Sequence, residues 1–347
     1  MIPPIGSLIK RQQFSLLFSG IKTTFLIAFL IISSRTYSGE TYKIVVAADG
    51  SGDYTRIQAA IDACKAFPDK RITIFIKNGI YHEKVRVPAW NNKLSLIGES
   101  SEHTIISWDD YFDRINRDRN STFFTYTLLV EGSDFYAENL TIENTAGPVG
   151  QAVALHVEGD RCTFRNCRLR GHQDTLYAAG RNTRQYYDSC YIEGTTDFIF
   201  GAATAVFRQC EIHSKSNSFI TAASTPEGNP FGFVFLHCRL TASHGTDRVY
   251  LGRPWRDHAR VAFLYCEMGS HILPAGWDNW STPMREKTSF FAEYSNTGPG
   301  ADTAKRVPWS HRLTEREAGT YTLPQIFACG LPVESSFAEW TRFQPDN

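Results

Sequence analysis

Two carboxylates and two amides recur along this chain at one spacing. Gln151 precedes Gln173 by 22 residues, and Asp174 precedes Asp197 by 23. If the chain coils with that period, the four side chains become neighbours on successive turns. Two carboxylates a few ångströms apart cannot both ionise at their ordinary pKa, so one becomes an acid and the other stays a base or nucleophile. An amide NH2 beside the pair can donate to the oxyanion of a tetrahedral intermediate, which favours acyl transfer over glycoside hydrolysis. Arg253 follows Asp197 by 56 residues, two coils of 28. Its guanidinium can pair with one aspartate, keep it ionised and fix its geometry. Each residue alone has a plainer role, since Asp is common in turns and most Trp simply pack. The functional reading rests on four polar elements at coil-length offsets, each set in apolar sequence such as Ala152-Val153-Ala154-Leu155 and Phe198-Ile199-Phe200.

The elements that must position them are written as a repeat. Phe164-Arg165-Asn166-Cys167, Tyr187-Asp188-Ser189-Cys190, Phe207-Arg208-Gln209-Cys210, Phe235-Leu236-His237-Cys238 and Phe263-Leu264-Tyr265-Cys266 are one unit five times over, with cysteine gaps of 23, 20, 28 and 28. An earlier copy, Tyr136-Ala137-Glu138-Asn139, is read with Asn139 at the cysteine position. Periods of 20–50 residues mean stacked units. These units are short, aromatic or β-branched and punctuated by Gly, Asn and Asp, which marks strands. Long 3.6-residue periodicity is missing, so helical repeats are excluded. The pattern predicts a parallel β-helix whose rungs lie about 4.8 Å apart. The cysteine column is then read as a buried stack of small apolar side chains in preference to a disulfide framework.

Composition narrows the setting. Lys10, Arg11 and Lys22 precede the apolar run Phe25–Ile32, and Ser38-Gly39 follow it, the layout of a secretory signal peptide over residues 1–39. The run is too short for a membrane span, which needs roughly 20 residues. The remainder, residues 40–347, is read as one β-helix domain, monomeric and with no membrane attachment once the leader is removed. It holds 32 basic and 36 acidic residues, a net charge of −4, so no nucleic-acid face is indicated. No Cys or His spacing fits a zinc site, and no metal or cofactor is expected.

At the ends, Ile57, Ala60, Ile61 and Cys64 predict an amphipathic helix over residues 55–67, capped from Asp53-Tyr54-Thr55 and closing the solenoid. Coils are expected to run to about Tyr294. A polar tail with short helices at Leu313–Ala318 and Pro324–Ala328 is expected to pack on the outside. Asn120, Asn139 and Asn279 head glycosylation sequons. Tyr177, Phe198, Phe200, Tyr250, Trp255, Trp277 and Trp280 exceed what a buried stack needs, and exposed rings offer platforms for the apolar faces of sugars. Alternation places Trp255 on the same face as Arg253.

On these residues the chain resembles the pectin methylesterases. The matching runs are Gly79-Ile80-Tyr81-His82-Glu83, Gly150-Gln151-Ala152-Val153-Ala154-Leu155, Gln173-Asp174-Thr175-Leu176-Tyr177, Asp197-Phe198-Ile199-Phe200-Gly201 and Leu251-Gly252-Arg253-Pro254-Trp255, in family order from about Lys43 to Gly330. The resemblance implies an all-β, single-stranded right-handed parallel β-helix that removes methyl esters from pectin (homogalacturonan) outside the cell. It implies Asp197 as nucleophile, Asp174 as general acid and then base, Gln151 and Gln173 as oxyanion donors, and Arg253 as the partner of Asp197. Thr122, Gln151, Arg253, Trp255, Tyr177, Phe198 and Trp277 are the expected substrate contacts. His156 departs from the arginine many members carry, and the coil around Ala179–Asn182 looks slightly long. No inhibitor-like domain precedes the repeats, and the Gly276-Trp277 region and tail look closer to bacterial members. A pectate lyase or polygalacturonase on the same solenoid would leave the glutamines and the Gly-Arg-Pro-Trp run unexplained, and a non-catalytic wall-binding solenoid would need no aspartate pair.

Overall fold

The computed structural model describes residues 42–328 and 339–342. The expected leader, residues 1–39, lies outside them, as does Cys329. Three parallel sheets of eleven, seven and eight strands run the length of the domain. Each coil visits all three in turn: Leu155–Val157, then Cys162–Arg165, then Arg168–Arg170, after which Leu176–Ala178 starts the next coil beside Leu155–Val157. This is the right-handed parallel β-helix expected from the repeats and the family resemblance.

The repeat unit explains how the coils stack. Its aromatic points inward and lies on the aromatic of the next coil: Phe164 on Tyr187, Tyr187 on Phe207, Phe207 on Phe235 and Phe235 on Phe263, with centroids 5.1, 4.8, 4.5 and 4.2 Å apart. Offset ring pairs in this range add to their burial energy. The residue before each cysteine turns the corner from the eleven-stranded to the eight-stranded sheet in the left-handed backbone region: Asn166, Ser189, Gln209, His237 and Tyr265, with φ between 47° and 56°. The cysteine that follows points inward and is buried. Cys190, Cys210, Cys238 and Cys266 each donate a thiol hydrogen to a carbonyl of the preceding coil, at 3.4, 3.4, 3.2 and 3.6 Å. These cysteines, with Cys64, Cys162 and Cys167, are free thiols.

Three expectations need correcting. Ala137, not Tyr136, pairs with Phe164, so Leu140 holds the cysteine position and Asn139 is the left-handed corner residue. Asn139 accepts a 2.6 Å hydrogen bond from Asn166 on the next corner, an amide ladder where the sequon was noted. The N-terminal helix is only Ile57–Asp62, and Asp53 does not cap it. Asp53 instead accepts from the Val45 amide, and the helix N-terminus is satisfied from 26 residues away by Glu83, which accepts from the Ile57 and Gln58 amides at 2.7 and 3.1 Å. That gives the Glu of the Gly-Ile-Tyr-His-Glu run a structural reason: a buried carboxylate on a helix N-terminus. Beyond Phe290–Tyr294 one more two-residue strand, His311–Arg312, extends the eleven-stranded sheet. The tail helices are Glu315–Ala318 and Leu323–Ala328, and they pack on the outward face of that sheet.

Candidate active site

The site sits on the outward face of the seven-stranded sheet, at the N-terminal ends of its middle strands. Asp174 lies two residues before Leu176–Ala178 and Asp197 two before Ile199–Gly201, and Leu176 pairs with Ile199. The two aspartates are therefore at equivalent places on adjacent coils. Both have left-handed backbone, φ 65° and 49°. This is sparsely populated for residues other than Gly and is tolerated best by Asn and Asp. Each is held there by its own amide, which donates to Thr196 O at 3.1 Å from Asp174 and to Phe219 O at 2.8 Å from Asp197.

Gln151 bridges Gln173 directly one coil back. Between that bridge and the Leu155–Leu176 pair the first coil carries one extra residue, and the amides of Ala154 and Leu155 both donate to Thr175 O. Such a bulge re-aims the chain locally. Neither glutamine side chain makes a hydrogen bond with another described residue, so both amides remain available to a ligand.

Arg253 belongs to the end strand Tyr250–Pro254 and reaches across to Asp197. Its Nε and one terminal nitrogen donate to the two carboxylate oxygens at 2.9 and 2.7 Å. The guanidinium is clamped between two rings, 3.9 Å from the centroid of Phe219 and 3.6 Å from that of Trp280. A planar fork held on both faces has little freedom to lose, and it fixes the Asp197 carboxylate in one plane. Burial pushes the Asp197 carboxyl above its ordinary value, and the Arg253 contacts pull against that shift. Asp174 has no such hydrogen-bonded partner, and burial together with the Asp197 charge drives its carboxyl well above the usual range. The environments thus separate the two groups: Asp174 is the better proton holder, Asp197 the better anion.

A cleft of about 220 Å³ brings together Gln151, Gln173, Asp174, Asp197, Arg253, Thr122 and Trp255. Tyr177 stands just beneath its rim, stacked 4.5 Å from Phe200, which lines the cleft. Phe198 and Trp277 do not reach it. Both are core residues, 0% and 1% exposed, and Trp277 lies against Phe263 and Phe291 inside the coil. Phe198 follows a left-handed residue, so the simple in-out alternation fails there and it points inward together with Ile199. His156, the noted departure, is buried on the same outward row. Its Nε2 is 2.8 Å from the Glu158 carboxylate and its ring 4.5 Å from that of Tyr177. Four further lining residues had no assigned role: Arg119, Phe123, Ala222 and Trp280. Ala222 could have been found by register, since it pairs with both Phe200 and Arg253. Arg119 and Phe123 stand on the 3-10 turn Asp118–Phe124, which belongs to no coil and leaves no periodic signal.

Comparison with known proteins agrees with this geometry. The pectinesterase family model matches residues 43–329. Pectinesterase 31 of Arabidopsis thaliana is 42% identical over 289 residues, covering 81% of this chain and 90% of the relative. A carrot pectin methylesterase structure superposes with a TM-score of 0.79 at 34% identity, covering 87% of this chain and 97% of that one. The PemA pectin methylesterase of Erwinia chrysanthemi gives 0.73 at 29%, covering 83% and 97%. The bacterial likeness read from the tail is not carried by the chain as a whole, since identity is higher to the carrot enzyme than to the Erwinia one. With the family model spanning nearly the whole coiled domain and a relative 42% identical, the chain belongs to the pectinesterase family.

Proposed function

We propose that this protein hydrolyses the methyl esters of pectin, giving pectate and methanol through an acyl-enzyme on Asp197. The observation that carries the reading is the bidentate Arg253–Asp197 pair beside a desolvated, unpaired Asp174 in one cleft. An Asp197 oxygen attacks the ester carbonyl carbon. The carbonyl oxygen becomes an oxyanion, and the free amides of Gln151 and Gln173 donate to it. When the tetrahedral adduct collapses, the carbon–oxygen bond to methoxide breaks and Asp174 gives up its proton, releasing methanol. Asp174, now a carboxylate, takes a proton from water, whose oxygen attacks the acyl-enzyme and restores Asp197. Arg253 keeps Asp197 ionised and aimed throughout. None of these steps calls on a metal or organic cofactor.

Thr122 and Trp255 contact the sugar chain, and Tyr177 supports the aromatic floor through Phe200. Homogalacturonan is the polymer of the right chemistry, and a pectin methylesterase of 29% identity has been solved in complex with a hexasaccharide. The protein acts outside the cell as a monomer, with residues 1–39 removed as a signal peptide and residues 40–347 as the working domain. The test is methanol release from highly methylated pectin by residues 40–347. Methanol without new reducing or unsaturated ends supports the esterase. New unsaturated ends would instead mean a lyase, and new reducing ends a galacturonase.

A further inference from the structure

The charges lining the cleft do not balance. They are Asp174, Asp197, Arg253 and Arg119. Asp197 and Arg253 cancel as a bidentate pair. Asp174 carries a proton when the reaction starts, because it is buried beside a second carboxylate. That leaves Arg119, which is exposed on the turn Asp118–Phe124 beside Thr122 and Phe123 and makes no ion pair with any described residue. Other cations near the cleft are committed. Lys84 pairs with Asp110 at 2.6 Å, and Arg285 pairs with Asp257 at 3.1 Å. Arg256 lies on the Trp255 ring, donates to the Trp255 carbonyl and does not line the cleft.

A neutral methyl ester gains nothing from a free guanidinium, whereas a carboxylate gains a charge-assisted, two-point contact. The substrate offers both, because each sugar of the polymer is either an ester or, after turnover, an acid. We propose that Arg119 binds a free carboxylate on a sugar neighbouring the ester under attack, so that the enzyme prefers esters flanked by an already demethylated residue. This rests on the esterase reading above and names its substrate more closely. One product of turnover then improves the next site on the same chain, which drives demethylation along runs.

The measurement is kcat/KM for methanol release on partly methylated and on fully methylated oligogalacturonides, read as a ratio. For the wild type the ratio favours the partly methylated substrate and falls as salt rises from 20 to 500 mM, since an exposed charge contact is screened within about 8 Å at physiological ionic strength. Arg119→Gln is expected to lower the ratio about fivefold, the size of an exposed ion pair at the upper end of its range. Arg119→Lys is expected to restore most of it, because the charge is kept. A ratio that Arg119→Gln leaves unchanged, or that Arg256→Gln collapses instead, overturns the assignment while leaving the esterase intact. No methanol from any substrate by the wild type would overturn the esterase reading itself.

Discussion

Two outward faces of this solenoid are built alike and used differently. On the eleven-stranded sheet, Tyr186, Val206, Val234, Ala262 and Ala292 form one continuous row along the coils. On the seven-stranded sheet the corresponding row is Leu129, His156, Tyr177, Phe200, Ala222 and Arg253. The first row is sealed by the chain's own tail, where Leu313, Ala318, Ile326 and Phe327 complete a buried cluster. The second keeps only a small apolar patch of Val153, Phe200 and Ala222, flanked by half-buried Tyr126, Tyr177, Trp255 and Trp280, and ends in charge. An apolar outward face on a β-helix therefore does not mark a binding site by itself. What marks it is the row of polar residues at left-handed positions along one strand edge, which no tail could cover without burying unpaired charge.

The comparison breaks first at Asp197. Asp197→Ala is expected to lower turnover by several orders of magnitude through loss of the nucleophile, with thermal stability little reduced. Turnover within tenfold of wild type would remove the nucleophile role. On the covered face the pattern reverses. Phe327→Ala empties a fully buried site against Tyr186 and Trp340 and is expected to cost about 3–5 kcal/mol of stability. Activity per folded molecule should hold, as seen by denaturant melts beside active-site titration. If Phe327→Ala is silent in stability, the tail is not a seal.

Gln151→Ala tests the open face at finer grain. Loss of one oxyanion donor costs on the order of 10²-fold in kcat, with KM changed much less. A rise in KM with kcat intact would make Gln151 a positioning group instead.

Asp174 links the two kinds of energy. Its folded carboxyl titrates well above the ordinary 3.8, so folding is opposed once pH exceeds the unfolded value, and the penalty grows until the folded group also ionises. Asp174→Asn removes that penalty while destroying the acid. The expected outcome is an inactive variant whose Tm exceeds wild type near neutral pH and whose advantage vanishes below about pH 4. A Tm advantage that persists at pH 3 would mean that its source is packing and not charge.

Much of this was legible because a solenoid turns sequence distance into rung count. Gln151, Gln173, Asp174, Asp197 and Arg253 were placed in one cluster from their offsets alone, and they share one cleft. Register was less legible. Counting from the aromatic put Asn139 at the cysteine position, one residue off, because Tyr136 is not in the inward aromatic column that begins at Phe164. The cap of the first helix was illegible, since Glu83 acts from another coil. Arg119 was illegible for a related reason, as it lies on an excursion outside the repeat.

Trp255 and Trp277 give the finest contrast, because sequence placed both at the substrate and the structure separates them. Trp277 is enclosed by Phe263 and Phe291, with its indole nitrogen 3.3 Å from Glu293, itself paired with Arg306. Trp255 is half-buried, edge-on to Tyr177 and Phe200 at 6.4 and 5.7 Å, and forms part of the cleft wall. A ring that supports little core can be removed without unfolding the coil, yet its loss takes away the flat apolar surface a sugar would meet. Trp255→Ala is therefore expected to lower kcat/KM on long pectin about tenfold, the equivalent of about 1.4 kcal/mol, mostly through KM. Its Tm should stay near wild type, whereas Trp277→Ala should lose several degrees and keep its KM. If Trp255→Ala melts early with unchanged kinetics in the folded fraction, the ring belongs to the core and the open face begins one coil further on.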